Sequence, residues 1–186
     1  MKSFMSVVLM GAVISTILGC SKPCKIYPPE KPVVNLPLEL RQQNNWVGSG
    51  GQFDGSCVWA TMISLLRWQG QYEIADYIRR NRAGGEFLGS VSSKLTELNI
   101  RFAVAENHDE EFLAWAIRTR RGAAVGIKKG KHMVAVVDIV GDEVCILDNR
   151  NVNSYIWIDK DKFFRDWHAS GGWAFTPIYS PVSPLP

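Results

Sequence analysis

The sequence predicts a single α+β domain in two lobes, with a helical lobe first and a lobe of mainly antiparallel strands after it. Two observations support this prediction. Apolar residues recur at helical spacing through most of residues 57–98, and short apolar runs separated by turn residues dominate residues 100–178. At 186 residues, 46% of them hydrophobic, the chain is long enough to bury one core of ordinary globular composition.

Each helix is predicted from its apolar face and from the residues at its ends. In the first helix, Val58, Met62 and Leu65 recur on one face, and Gly70 ends the helix. In the fourth, acidic residues open the first turn and arginines close the last, which suits the helix dipole. The predicted helices span residues 57–69, 72–81, 92–98, 109–121 and 159–168.

The strands are predicted from runs of β-forming residues bounded by turns. They span residues 100–105, 123–127, 132–140, 143–148, 155–158 and 173–178. Gly141 and Asp142 form a tight turn, so the third and fourth strands are predicted to pair as a hairpin. A functional site is expected in the cleft between the helical lobe and the sheet lobe.

The N-terminus has the features of a targeting segment. A basic start, an uncharged apolar run over residues 3–18 and a small residue before Cys20 predict export. The sequence ILGC at residues 17–20 resembles a bacterial lipobox. This resemblance implies that Cys20 carries lipid and, with Ser21 after it, that the protein is an outer-membrane lipoprotein facing the periplasm. The alternatives are secretion after a plain signal peptide and a single inner-membrane anchor.

The chain is expected to divide into four parts. Residues 1–20 form the signal peptide, and residues 21–45, with five prolines and little periodicity, form an extended tether. The folded domain spans residues 46–178, and residues 179–186 form a tail rich in proline and serine. The net charge of +3 is too small to indicate a nucleic-acid partner.

The four cysteines are Cys20, Cys24, Cys57 and Cys145. If Cys20 carries lipid, three remain, and an odd number in an exported protein leaves at least one thiol unpaired. A Cys24–Cys145 disulfide is possible. The chain has no CxxC pair and no Cys/His metal spacing, so no metal site is expected.

Cys57 lies in the stretch GGQFDGSCVWA, residues 50–60, directly after a Gly-Ser turn and at the start of the first predicted helix. The helix dipole and the free N–H groups at a helix N-terminus favour the thiolate, which is the reactive form of cysteine. This placement indicates a nucleophile, although a small residue buried at a helix start is the structural alternative.

A thiolate of this kind works with a base and a group that orients it. Of the three histidines, His132 opens the first strand of the predicted hairpin, where its ring can face a neighbouring helix. Asp148 ends the second strand, so the hairpin places it opposite His132, within hydrogen-bonding reach. Asn149 is the alternative orienting residue. Gln52, on the loop that precedes Cys57, is predicted to donate its side-chain amide to an oxyanion.

These motifs carry a family resemblance. The sequence QFDGSCVWAT, residues 52–61, resembles the active-site helix entry of papain-like cysteine peptidases. The sequence KKGKHMVAVVDIVGDEVCILDNR, residues 128–150, resembles the bacterial branch that includes the bacteriocin double-glycine leader peptidases. The resemblance implies a papain-like two-lobed fold and the roles of nucleophile for Cys57, general base for His132, orienting residue for Asp148 and oxyanion donor for Gln52. Val58 departs from the glycine usual in that branch, and Gln52 lies one residue closer to the cysteine.

The functional prediction is an exported, membrane-tethered cysteine peptidase, monomeric and without metal or cofactor, that acts on peptides or proteins. One alternative keeps the chemistry but acts as an amidase or transpeptidase on cell-wall peptides, or as a thiol acyltransferase. The other is a binding or exclusion lipoprotein that retains the site as a relic.

Overall fold

The computed structural model describes residues 29–46, 56–82, 84–86 and 88–179. Five helices and six strands form the folded unit in this part of the chain. The helices are α1 (Cys57–Trp68), α2 (Tyr72–Asn81), α3 (Leu88–Glu97), α4 (Glu110–Arg118) and α5 (Lys160–Ala169). The strands are β1 (Phe102–Ala105), β2 (Ala123–Ile127), β3 (His132–Val140), β4 (Glu143–Leu147), β5 (Ile156–Asp159) and β6 (Ala174–Pro177).

The six strands form one antiparallel sheet in the order β1-β6-β2-β3-β4-β5. β3 and β4 pair as the predicted hairpin, with Val140 opposite Glu143 across the turn. The first three helices precede every strand, so the α+β order expected from the sequence is observed.

The first helix is the centre of the core. Nine consecutive residues of α1, Val58 to Leu66, are buried, because the helix lies between α2 and the middle strands of the sheet. A helix that is covered on several sides must be apolar around most of its circumference. α1 meets this requirement. Cys57, the residue before this run, is only partly buried, which leaves it at the boundary between core and solvent.

Residues 29–45 differ from the extended tether predicted for residues 21–45. Val34 and Leu36 are completely buried, and the 3-10 helix Leu38–Leu40 follows them. A shift in strand register between Val136 and Asp138 leaves the Val137 carbonyl free to accept the Val34 N–H at 3.0 Å. The folded unit therefore begins before residue 46, because apolar side chains between the prolines find a place in the core.

Two smaller differences concern element ends. α3 begins at Leu88 and not at residue 92, because Glu86 pairs with Lys94 and accepts the Ser90 hydroxyl, which stabilises the first turn despite Gly89. Tyr179, predicted to be in the tail, donates its N–H to Gln69 Oε1 at 3.0 Å.

Candidate active site

Cys57 is the first residue of α1. Ser56 before it is extended, with φ −130° and ψ 137°, and its hydroxyl does not cap the helix. The first N–H groups of a helix have no partner within the helix, and a negative charge beside them is stabilised. The local sequence therefore places the Cys57 thiol where a thiolate is favoured.

His132 and Asp148 are joined across the hairpin. His132 is the first residue of β3, Asp148 directly follows β4, and His132 Nε2 lies 2.8 Å from Asp148 Oδ1. The His132 side chain is 1% exposed and that of Asp148 14%. Since Nε2 is engaged with the carboxylate, the imidazole has Nδ1 left for the Cys57 thiol, which lines the same cleft as His132 and whose pKa the imidazole lowers.

The pKa of Cys57 is lowered from the ordinary thiol value. Burial acts to raise it, but the hydrogen bond with His132, the backbone amide of Met133 and the positive charge of the imidazole together outweigh burial. Stabilisation of the thiolate makes Cys57 a better nucleophile at neutral pH than an ordinary cysteine.

The pKa of His132 is raised and that of Asp148 is lowered. Burial acts to lower the pKa of His132, but its hydrogen bonds with Asp148 and Cys57 and their negative charges prevail. Burial acts to raise the pKa of Asp148, and the His132 hydrogen bond, the Arg150 N–H and the charges of His132 and Lys128 overcome it. All three shifts favour a chain of alternating charges: thiolate, imidazolium and carboxylate.

A small cleft of about 100 Å³ exposes Cys57. Gly85 and Glu86 line one part of it, and Gly130 and Lys131, from the turn before β3, line another. Its lining residues are Cys57, Val58, Gly85, Glu86, Gly130, Lys131, His132 and Met133. The two glycines, each in a loop, place no side chain in the cleft beside the thiol.

Asn149, the alternative orienting residue, makes its hydrogen bonds to other groups, and Asp148 is the side chain bonded to the His132 ring. The Asn149 side chain is buried, and its Nδ2 contacts the carbonyls of Cys57 and Met133 and the hydroxyl of Thr61. Sequence reasoning missed Thr61 altogether. Its position one helical turn after Cys57 was the available signal, since residues four apart on a helix share a face.

Gln52 and the other three cysteines complete the set of predicted residues. Gln52, Cys20 and Cys24 are outside the described residues, as is one partner of the possible Cys24–Cys145 disulfide. Cys145 is completely buried in β4, away from the cleft. Within the described ranges, no helix is long and apolar enough to cross a membrane, and no group of three or more potential ligands could hold a metal ion.

Comparison with solved structures shows which fold this is. The chain superimposes on a protein from Bacillus anthracis assigned as a C39-like peptidase, with a TM-score of 0.59 at 12% identity, over 83% of this chain and all of that one. The fold is that of a C39-like peptidase. The predicted papain-like, two-lobed α+β architecture is thereby confirmed.

A second structure is similar over a shorter range. It is a double-glycine-motif protease from an AMS/PCAT transporter, solved in complex with its leader peptide, with a TM-score of 0.46 at 14% identity, covering 66% of this chain and 85% of that one. No protein-family model and no curated protein matches this sequence. On the C39-like fold of this chain, Cys57, His132 and Asp148 come together at one end of the sheet.

Proposed function

We propose that this protein is a cysteine peptidase that cleaves peptide bonds with Cys57 as nucleophile, His132 as general base and Asp148 as the orienting carboxylate. The observation that carries the proposal is the placement of these three side chains: Asp148 is bonded to the His132 ring, and His132 shares a cleft with the Cys57 thiol at a helix N-terminus. The C39-like fold, shared with proteins assigned as peptidases, supports the same reaction class.

The proposed reaction begins with the Cys57 proton moving to His132. The thiolate attacks the substrate carbonyl carbon, and the carbonyl oxygen becomes an oxyanion. The backbone N–H of Cys57 and the side-chain amide of Gln52 stabilise that oxyanion in this proposal. His132 then gives its proton to the leaving amine, and a thioester with Cys57 remains.

Water completes the cycle. His132 removes a proton from water, the resulting hydroxide attacks the thioester, and the thiol is regenerated with release of the new carboxylate. Throughout, Asp148 keeps Nε2 of His132 engaged and stabilises the imidazolium, so Nδ1 stays available for proton transfer.

Export and membrane attachment through Cys20 are part of the proposal and are supported by the composition of residues 1–20. Under this proposal the peptidase acts in the bacterial cell envelope. Fractionation of cells that express the wild type and Cys20→Ser tests this placement. We expect the wild type in the outer-membrane fraction and the variant displaced from it, and an unchanged distribution would contradict the lipid anchor.

The enzymatic test uses two substrates, denatured casein and purified cell wall, with wild type and Cys57→Ala. We expect new peptide termini from casein with the wild type only. Release of wall fragments with intact casein would favour the amidase alternative. An inert wild type whose Cys57→Ser variant still functions in its host would favour a binding or exclusion protein.

A further inference from the structure

The side chain of Asn149 lies where the three elements of the site meet. Its amide nitrogen is 2.8 Å from the carbonyl of Met133, 2.9 Å from the hydroxyl of Thr61 and 3.0 Å from the carbonyl of Cys57. An amide has two N–H donors, and here three acceptors surround them at hydrogen-bonding distance. Both donors are therefore satisfied, one of them shared.

The orientation of this amide follows from its neighbours. Carbonyl oxygens only accept hydrogen bonds, and the Thr61 hydroxyl already donates to the Cys57 carbonyl at 2.8 Å. Rotating the amide would set Oδ1 against acceptors alone. In the observed orientation, Oδ1 is buried without a hydrogen-bond partner among the described residues. Buried polar atoms are seldom left unpaired, because the missing hydrogen bond costs stability. At Asn149 the hydrogen bonds of Nδ2 therefore outweigh the hydrogen bond that Oδ1 lacks.

Two of the three contacts of Asn149 involve a reactive residue or its neighbour in the chain. One acceptor is the carbonyl of Cys57 itself, and another belongs to Met133, which follows His132. Asn149 in turn follows Asp148. A single buried side chain thus connects the N-terminus of α1, the start of β3 and the segment after β4.

We propose that Asn149 is the positioning residue of this site: its amide nitrogen ties the carbonyl of Cys57 to that of Met133 and so holds the thiol beside the imidazole. The inference rests on the proposed function, because it concerns how the reactive groups of that site are held in position. Asn149 touches no reacting atom, and it acts through the backbone of the residues that do.

The main chain at Asn149 is itself held in place. The Asn149 carbonyl accepts the N–H of Asn44 at 3.0 Å, and the Arg150 carbonyl accepts Gln43 Nε2 at 3.3 Å. Gln43 and Asn44 therefore hold the main chain at Asn149 and Arg150. These bonds fix the backbone from which the Asn149 side chain reaches α1 and β3.

Ser64 provides a matched control on the same helix. It is as buried as Thr61, and its hydroxyl donates to the Ala60 carbonyl and accepts the Gln42 N–H, both at 2.9 Å. Its bonds hold Gln42, and they involve none of the three reactive side chains and none of the hydrogen bonds of Asn149. A loss of buried hydrogen bonds alone should therefore affect Ser64→Ala and the Asn149 variants alike.

The test measures alkylation of Cys57 by iodoacetamide against pH in the full chain. It compares wild type, Asn149→Leu, Asn149→Ser, Thr61→Val and Ser64→Ala, with thermal unfolding of each. We expect the midpoint of the alkylation profile to move towards that of an ordinary thiol in the Asn149 variants, and by less in Thr61→Val. Ser64→Ala should keep the wild-type profile even where its melting temperature falls. If casein is a substrate, kcat should fall roughly 10²-fold in the Asn149 variants with little change in KM, because misplacement of reacting groups penalises the transition state.

The outcomes separate this inference from the proposed function. A wild-type Cys57 that titrates as an ordinary thiol contradicts the proposed function. An activated wild-type thiol with a superimposable profile in any folded Asn149 variant overturns the positioning role alone. If Asn149→Leu does not fold, Asn149→Ser and Thr61→Val decide, and a wild-type profile in both overturns the role equally.

Discussion

Cys57 and Cys145 are the same side chain in two opposite environments. Cys57 begins a helix, is partly exposed in a cleft and shares that cleft with the His132 imidazole, which lowers its pKa. Cys145 lies in the middle of a strand, is completely buried and pairs across the sheet with Trp157. Their pKa values move in opposite directions, so position within the fold and not residue type decides which thiol can react.

The physical difference is whether polar contacts compensate for burial. Burial raises the pKa of Cys145, and the negative charge of the nearby Asp138 raises it further, to about 12, with only a partial offset from Arg41. At Cys57, burial also opposes the thiolate, but His132 and two backbone amides outweigh it. A buried cysteine is therefore inert unless its surroundings supply positive charge or N–H donors.

The largest expected effect comes from removing each sulfur in turn. Cys57→Ala should lower peptidase activity by about 10⁶-fold, since the covalent route is lost and no other group can replace the nucleophile. Cys145→Ala should retain nearly full activity, although its folded state is less stable. Cleavage of casein by both purified variants measures the two activities. A comparable loss of activity in both would contradict the view that only Cys57 reacts.

A second expectation concerns alkylation of the wild type. With a pKa of about 12, Cys145 is ionised to only about one part in 10⁵ at pH 7, and its burial excludes reagent as well. The lowered pKa of Cys57 means that its thiolate persists as the pH falls below 9.0 and is lost only at its own lower pKa. Mass spectrometry after iodoacetamide treatment should find label on Cys57 across this range. Equal, slow labelling of both thiols would contradict the expected difference in reactivity between Cys57 and Cys145.

Asp148→Asn should have an intermediate effect. The uncharged amide no longer stabilises the imidazolium, so the raised pKa of His132 falls back and the thiolate loses the positive charge beside it. We expect kcat/KM to decrease by about 10²-fold, the lower range for general acid–base catalysis. The alkylation profile of Cys57 should also shift to higher pH. A profile identical to that of the wild type would show that Asp148 does not act through His132.

The smallest expected effect concerns the surroundings of Cys145. Both carboxylate oxygens of Asp138 accept backbone N–H groups, Oδ2 from Val33 at 2.9 Å and Oδ1 from Ile139 at 2.8 Å. The side-chain amide of asparagine has one accepting oxygen, so it can keep only one of these two hydrogen bonds. Asp138→Asn should therefore lower the free energy of unfolding by about 1–3 kcal/mol. Chemical denaturation measures this cost, and alkylation of Cys57 in the same variant is the control, expected to be unchanged.

Local patterns were sufficient for most elements and for one half of the site. The predicted and observed bounds of α2, β2 and β3 agree, because apolar periodicity and turn residues act over a few positions. The Gly141-Asp142 turn joins the two strands, so His132 and Asp148 were expected to meet, and their side chains lie 2.8 Å apart. They are not directly opposite, because Ala135 pairs with Leu147 after the register shift, so Asp148 reaches His132 along a diagonal. A hairpin is a local structure, which is why its pairing could be predicted.

Long-range packing could not be predicted in the same way. The burial of Val34 and Leu36 was hidden by the prolines around them, and it depends on a free carbonyl created by the register shift in β3. The contacts of Asn149 were also unforeseen, because its partners at Cys57 and Met133 lie 92 and 16 residues away in the chain. Neither feature leaves a periodic signal.

The sequence by itself determined the order of helices and strands, the hairpin and the setting of Cys57 at a helix start, because each depends on residues close in the chain. Only the tertiary structure decided that α1 packs against β3 so that the thiol meets the imidazole, that Cys145 is enclosed beside Asp138, and that Asn149 links the elements of the site. These features depend on close packing between elements that are far apart in the chain, and that packing forms only when the core is assembled.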